Sequence, residues 1–256
     1  MSRLLIFSLL SFITACDWDN DSGNLMPEGL LEQPDSLKLI ADVPVPRGYV
    51  RTDENENSFG ELLRRVALKK DKRVYLYNGQ LKRSQRAQFA VLNISVGDKD
   101  LQQCADAVMR LRAEYLFSQK RYADIEFRDN ANKTYRWTGD SDHAAFGKYL
   151  ETVFGMCGSA SLEKQLKPVA RFQNVHAGDV LVKGGFPGHA MIVVDVAMNA
   201  KGDKMFMLAQ SYMPAQDIHI VRNPADDKIS PWYEVSDAKE IITPEWTFTN
   251  DQLRQW

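Results

Sequence analysis

Two residues in this chain have the chemistry of a nucleophile and a base: Cys104, in Gln102-Gln-Cys-Ala-Asp-Ala-Val-Met-Arg-Leu-Arg-Ala-Glu-Tyr115, and His189, in Lys183-Gly-Gly-Phe-Pro-Gly-His-Ala-Met-Ile-Val-Val-Asp195. A thiol attacks as its thiolate, so it needs a depressed pKa or a base close by. The first turn of a helix helps, through its unpaired N–H groups and the positive end of its dipole. From Asp100 to about Lys120 the apolar residues Leu101, Cys104/Ala105, Val108, Leu111 and Tyr115 recur at helical spacing. Asp98 or Asp100 is available as N-cap, which puts Cys104 in the first or second turn. His189 opens a run of β-formers after a Gly-Pro turn, where a ring nitrogen can meet a thiol. The bland alternatives are a small buried thiol and a strand-entry histidine bonded to its own turn.

A catalytic imidazole also needs a polar group that holds its tautomer and orientation. If the polar loop Asn199-Ala-Lys-Gly-Asp203 closes a hairpin near Ala200-Lys201, the residue facing His189 falls at about 211 to 213. Gln210 and Ser211 are the polar side chains nearby. Gln210 is preferred because its amide oxygen accepts from a ring N–H while its NH2 is tied elsewhere. Asp217 is the fallback. The Cys104 N–H, with the Gln103 side chain, is the candidate oxyanion donor. Asp195 lies six positions beyond His189 and shares its face in a regular strand, as a supporting partner or as a solvent-facing residue.

Around these residues the texture is helical first and extended later. Ser58-Phe-Gly-Glu61 reads as a capping box. Val74 to Gly79 reads as a strand with an Asn-Gly turn, and Phe89 to Ser95 as a second short strand. A long helix is expected from Asp142 to Cys157, with Cys157 continuing its apolar stripe as a core thiol. After Pro168 come Asp179 to Lys183, His189 to Ala197, Lys204 to Met213 and Asp217 to Val221, an antiparallel meander. The expected class is α+β, with N-terminal helices packed on a C-terminal antiparallel sheet. No repeat or linker divides residues 40–256, which read as one domain. Trp232, Tyr233, Trp246 and Phe248 read as a tail packed over the core, with stacking on sugar rings as the alternative. His143, His176 and His219 match no metal-site spacing.

The first sixteen residues differ. Arg3 precedes Leu4 to Ile13, an apolar stretch too short to span a membrane, and Ile13-Thr-Ala-Cys16 follows. That ending resembles the lipobox of bacterial lipoproteins, which implies cleavage before Cys16, lipidation of Cys16, and a cell-envelope location. Residues 17–39, beginning Asp17-Trp-Asp-Asn-Asp21, read as an acidic and polar tether. Setting Cys16 aside leaves Cys104 and Cys157, too few for a disulfide scaffold, although one bridge between them is open. A formal net charge of −2 over 256 residues argues against nucleic acid as a partner. No phosphate loop, dinucleotide fingerprint or ligand cluster points to a cofactor or a metal.

A helix-borne cysteine, a histidine opening a strand after Gly178-Asp-Val180, and a polar residue on the next strand resemble the papain-like cysteine peptidases of bacterial cell walls, the NlpC type. Whole segments, Gln102 to Tyr115, Pro187-Gly-His189 and Leu208-Ala-Gln-Ser-Tyr-Met-Pro-Ala-Gln-Asp-Ile-His-Ile220, resemble the family of exported bacterial proteins called domain of unknown function 4846. The first resemblance implies a papain-like arrangement and a hydrolase acting on amide bonds, with peptidoglycan peptides as substrate. Cys104 would attack, His189 would carry the proton and Gln210 would orient the ring. The competing expectation is a non-catalytic envelope protein that binds wall fragments or a protein partner.

Overall fold

The longest strand explains most of the architecture. His-Ala-Met-Ile-Val-Val-Asp-Val-Ala-Met-Asn is almost uninterrupted by polar residues, the signature of a strand covered on both faces rather than one. In the computed structural model, which describes residues 37–256, this segment runs through the middle of the main sheet with its first nine residues buried. In chain order the elements are β1 (Tyr49–Arg51), α1 (Phe59–Arg64), β2 (Gln88–Val91), α2 (Cys104–Ser118), β3 (Glu126–Arg128), β4 (Thr134–Arg136), α3 (His143–Met156) and α4 (Ser159–Gln165). There follow β5 (Lys167–Pro168), β6 (Val180–Lys183), β7 (His189–Asn199), β8 (Lys204–Gln210), β9 (His219–Val221), β10 (Trp232–Glu234), β11 (Glu240–Ile242), β12 (Thr247–Thr249) and β13 (Leu253–Gln255).

Nine strands form the main sheet in the order β2-β9-β8-β7-β6-β13-β5, with β1 also paired to β7 and β10 to β8. Every pairing is antiparallel. The expected meander is β6 to β9. The sheet is not confined to the C-terminal half, however: β2 overlaps the short strand expected from Phe89 to Ser95 and joins β9, and β1, for which no strand was expected, pairs with β7. Val74 to Gly79 forms no named strand: Tyr75 and Leu76 make isolated bridges to Leu81 and Gln216, and the Tyr75 N–H donates to the Asp217 carboxylate. Backbone bonds flank the segment on both sides, Leu76 N–H to Gln80 and Lys82 N–H to Val74 across the expected Asn78-Gly79 turn, and Tyr77 N–H to Ala215 and Asp217 N–H to Tyr75 on the other side.

Alternation along β7 sorts two cores. Ala190, Ile192 and Val194 join Val108, Met109 and Leu111 of α2 and Phe146 and Leu150 of α3 in one cluster. Met191, Val193 and Val196 join Phe206, Leu208, Phe172 and Phe248 in the other. The switch to even numbering at Val196 follows a register shift against β8 between Val193 and Asp195. Helix α2 lies on β7 and is tied to the far end of β8 by the Ser211 hydroxyl, which hydrogen-bonds to the Gln102 carbonyl at 3.0 Å and the Gln216 carbonyl at 2.8 Å. Among the described residues, no helix is long and apolar enough to cross a membrane. The expected signal segment, Cys16 and most of the expected tether lie outside the described residues.

Candidate active site

Helix α2 begins at Cys104 itself, not at Asp100. Its N-cap is Gln103, and the aspartate that caps it comes from inside the helix: the Asp106 carboxylate accepts the Gln103 N–H at 2.9 Å. Asp100, expected as N-cap, instead accepts the Ala215 N–H at 2.7 Å and the Gln103 side-chain amide at 3.1 Å. Cys104 therefore occupies the first helical position, where its own N–H has no partner within the helix. Burial pushes its thiol pKa up, outweighing the backbone N–H groups of Ala190, Ala105 and Cys104, which favour the thiolate. Only 7% of the residue is exposed.

The N–H at Ala190 matters because Ala190 follows His189. Cys104 and His189 both line a cleft of about 460 Å³ with Gln103, Tyr212, Met213 and Trp246. The His189 ring is almost fully buried, against Tyr212 at 5.0 Å, Trp246 at 5.4 Å and Phe248 at 5.9 Å between ring centroids. Its Nε2 lies 2.7 Å from Gln210 Oε1. A carboxamide oxygen only accepts, so Nε2 carries the hydrogen and Nδ1 is the basic nitrogen.

The amide orientation is settled by its other end. Gln210 Nε2 donates to Glu245 Oε2 at 2.8 Å and to His219 Nε2 at 3.2 Å. A flipped amide would press its oxygen on the Glu245 carboxylate. His219 Nδ1 in turn donates to the Asp217 carbonyl at 2.9 Å, and Lys82 Nζ donates to Glu245 at 2.6 Å. Each ring thereby keeps one defined tautomer. Burial, with a smaller contribution from the nearby Lys82 charge, holds both neutral, His189 pushed down to about 4 and His219 to about 3.

The remaining expected site residues divide. Gln103 lines the cleft, its side-chain amide held by Asp100. Ser211 is spent on backbone carbonyls and serves the helix, not the oxyanion. Asp195 corrects both expectations made for it. It neither supports His189 nor faces solvent, but is fully buried between Arg51 and Arg64, each at 2.6 Å, at the other end of the strand. There β1 pairs with β7 within the sheet and α1 packs against β7, and these two elements bring the arginines. Asp217 is likewise committed elsewhere, to Lys69 at 2.8 Å and the Tyr75 N–H. Cys157 follows the last residue of α3, half-buried; it packs against the core as expected and also lines the cleft, and burial raises its thiol pKa to about 11.

Sequence reasoning missed Lys82, Glu245 and the part played by His219, because all three act through contacts distant in sequence. Trp246 and Phe248 do pack as a C-terminal layer, but over the His189 ring. Asp106 was missed as well. It lines the cleft with one oxygen buried and unpartnered, and burial raises its carboxyl pKa to about 8, so it is protonated at neutral pH.

No curated protein and no solved structure matches this chain. One family model does, that of the domain of unknown function 4846, over residues 39–139 and 128–255. Those spans take in both ends of the main sheet, all four helices and every residue of the cleft, and the chain belongs to that family.

Proposed function

We propose that the cleft is the active site of a cysteine hydrolase acting on amide bonds. The observation that carries this reading is the fixed His189 tautomer: Nε2–H is held by Gln210, which leaves Nδ1 as the basic nitrogen of a ring that lines the same cleft as Cys104. Both groups are neutral at rest, so the reaction is general-base catalysis, not attack by a standing thiolate. The sulfur adds to the amide carbonyl as its proton passes to Nδ1. The imidazolium then returns that proton to the leaving amine, and water releases the acyl group from sulfur by the same route. The Cys104 N–H and the Gln103 side-chain amide, which also donates to Asp100, are assigned as donors to the developing oxyanion.

This order of parts favours a papain-like arrangement. With a lipid anchor at Cys16 the enzyme would work in the cell envelope, where peptidoglycan peptides are the abundant amide substrates. The full chain carrying Cys16→Ser, incubated with purified wall peptides and followed by mass spectrometry, tests the reading. Cys104→Ala is expected to lower turnover by more than about a thousandfold with the fold intact. An equally active alanine variant would sink the assignment.

One observation favours a second reading, a binding module for wall fragments. Burial moves the Cys104 and His189 pKa values in opposite directions, each against the charged form an ion pair needs. If wild type and Cys104→Ala bind wall fragments alike and neither turns them over, that reading replaces the first.

A further inference from the structure

The turn between β6 and β7 presents Phe186 to solvent. Its side chain is 97% exposed, the most exposed large apolar residue among those described, and it stands three positions before His189. An exposed ring on a loose loop would carry little meaning, but this turn is anchored. The Gly184 N–H donates to Glu163 of α4, and the Ser159 hydroxyl reaches the Gly185 carbonyl. At Gly188 a Cβ would collide with the carbonyls of Gly185 and Lys183 and with the Ser159 hydroxyl. The backbone is pressed against the start of α4, and Pro187 restricts it further. The aromatic ring is therefore held out by a fixed support.

A second apolar tip stands at the same cleft. Met213 follows β8, is 50% exposed, and precedes Pro214 as Phe186 precedes Pro187. Its segment is anchored too, by the Ala215 N–H on Asp100 and the Ser211 hydroxyl on the Gln216 carbonyl. Methionine is a flexible, polarizable surface that adapts to different apolar shapes. The charges of the cleft complete the picture: among the described residues lining it there is no lysine or arginine, while Asp100 and Asp106 contribute carboxyl groups. A free carboxylate entering the cleft would leave water without gaining a cation.

We infer that Phe186 and Met213 select the substrate, gripping an uncharged apolar side chain beside the scissile amide, and that the cleft rejects acidic side chains there. The inference rests on the hydrolase reading for what happens to the bound amide, but not for what is bound. Among wall peptides it assigns the cleft to segments whose side chain at this position lacks a free carboxylate.

The test uses the full chain with Cys16→Ser and Cys157→Ser, and two chloromethyl ketones, of N-acetyl-phenylalanine and N-acetyl-glutamate. The labelling rate of Cys104 by each is divided by its rate with iodoacetamide, so that a change in the thiol's own reactivity cancels. The phenylalanine probe is expected to be faster by about tenfold or more, and Phe186→Ala to remove most of that ratio, with Met213→Ala removing less. Equal rates, a faster glutamate probe, or a ratio untouched by Phe186→Ala would overturn the inference. If no reagent labels Cys104, the hydrolase reading fails first. Binding of N-acetyl-phenylalaninamide and N-acetyl-glutamate amide, read from protein NMR shifts, then decides: only phenylalaninamide binding, weakened by Phe186→Ala, upholds selection, and equal binding or none rejects it.

Discussion

Strand β7 carries a buried polar cluster at each end, and the two are built on opposite principles. At the far end Asp195 is ionised between two arginines, and every group is answered: Arg51 also donates to the Val43 carbonyl, Arg64 to Thr52 and the Val196 carbonyl, and Asp195 accepts the Val196 N–H. At the near end the His189, Gln210 and His219 side chains are neutral, and the formal charges, Lys82 and Glu245, sit beyond them. The first arrangement is closed and its charges cannot move. The second leaves one ring nitrogen without a hydrogen-bond partner among the described residues, beside a cleft that contains a thiol. A buried charge cluster alone is therefore poor evidence of a site; an uncommitted titratable group is better evidence.

The contrast is broken most severely at the charged end. Arg51→Met with Arg64→Met strands a fully buried carboxylate without a cation, and the expected loss is about 3–5 kcal/mol in denaturant unfolding. Asp195 lies roughly 20 Å along the strand from His189, so Cys104 labelling in the surviving folded fraction should stay as in wild type. A changed labelling rate would mean that the two ends are coupled and do not act as separate clusters.

At the neutral end Gln210→Leu keeps the volume but removes three hydrogen bonds, leaving His189 Nε2, His219 Nε2 and one side of Glu245 to find other partners. The cost is expected at about 1–3 kcal/mol, less than the charged end because no ion is stranded without a counter-ion. Function should suffer more than stability. With its tautomer released, His189 presents a proton on Nδ1 part of the time, and the pH profile of turnover should change along with its height. An unchanged profile would reduce Gln210 to packing.

The legible part of this molecule is what depends on local sequence. Periodicity locates α2 and the β6 to β9 meander, and the polar Asn199 to Asp203 loop, where Gly202 takes a φ of +89°, locates the hairpin that puts Gln210 near His189. The choice of Gln210 over Ser211 follows from what a carboxamide can do that a hydroxyl cannot. What escapes is set by chain segments far apart. Regular alternation puts Asp195 on the face of His189, and one register shift with two distant arginines makes it something else. The α2 boundary slips by four residues because Asp106, three residues past the cap, supplies the capping carboxylate and Asp100 is occupied elsewhere. Lys82 and Glu245 come from segments with no motif at all.

The smallest effect expected is the most specific to the near end, because it depends on how many protons each state binds and not on how the side chains pack. His189 titrates near 4 when folded and about 6.5 when unfolded, so between those values the unfolded chain holds a proton that the folded one lacks. Its contribution is complete above about pH 6.5 and is lost as pH falls toward 4. Asp106 runs the other way. Its folded pKa of about 8 lies above the unfolded value near 3.9, so its contribution is complete below about 4 and is lost as pH rises toward 8. From pH 4.5 to 6 the two slopes oppose each other. His189→Gln should therefore tilt the stability curve downward with rising pH relative to wild type, and Asp106→Asn upward, each by about 1.4 kcal/mol per pH unit at most. Urea midpoints across that window measure both. Tilts of the same sign would show that at least one of these groups does not hold the protonation state its burial dictates.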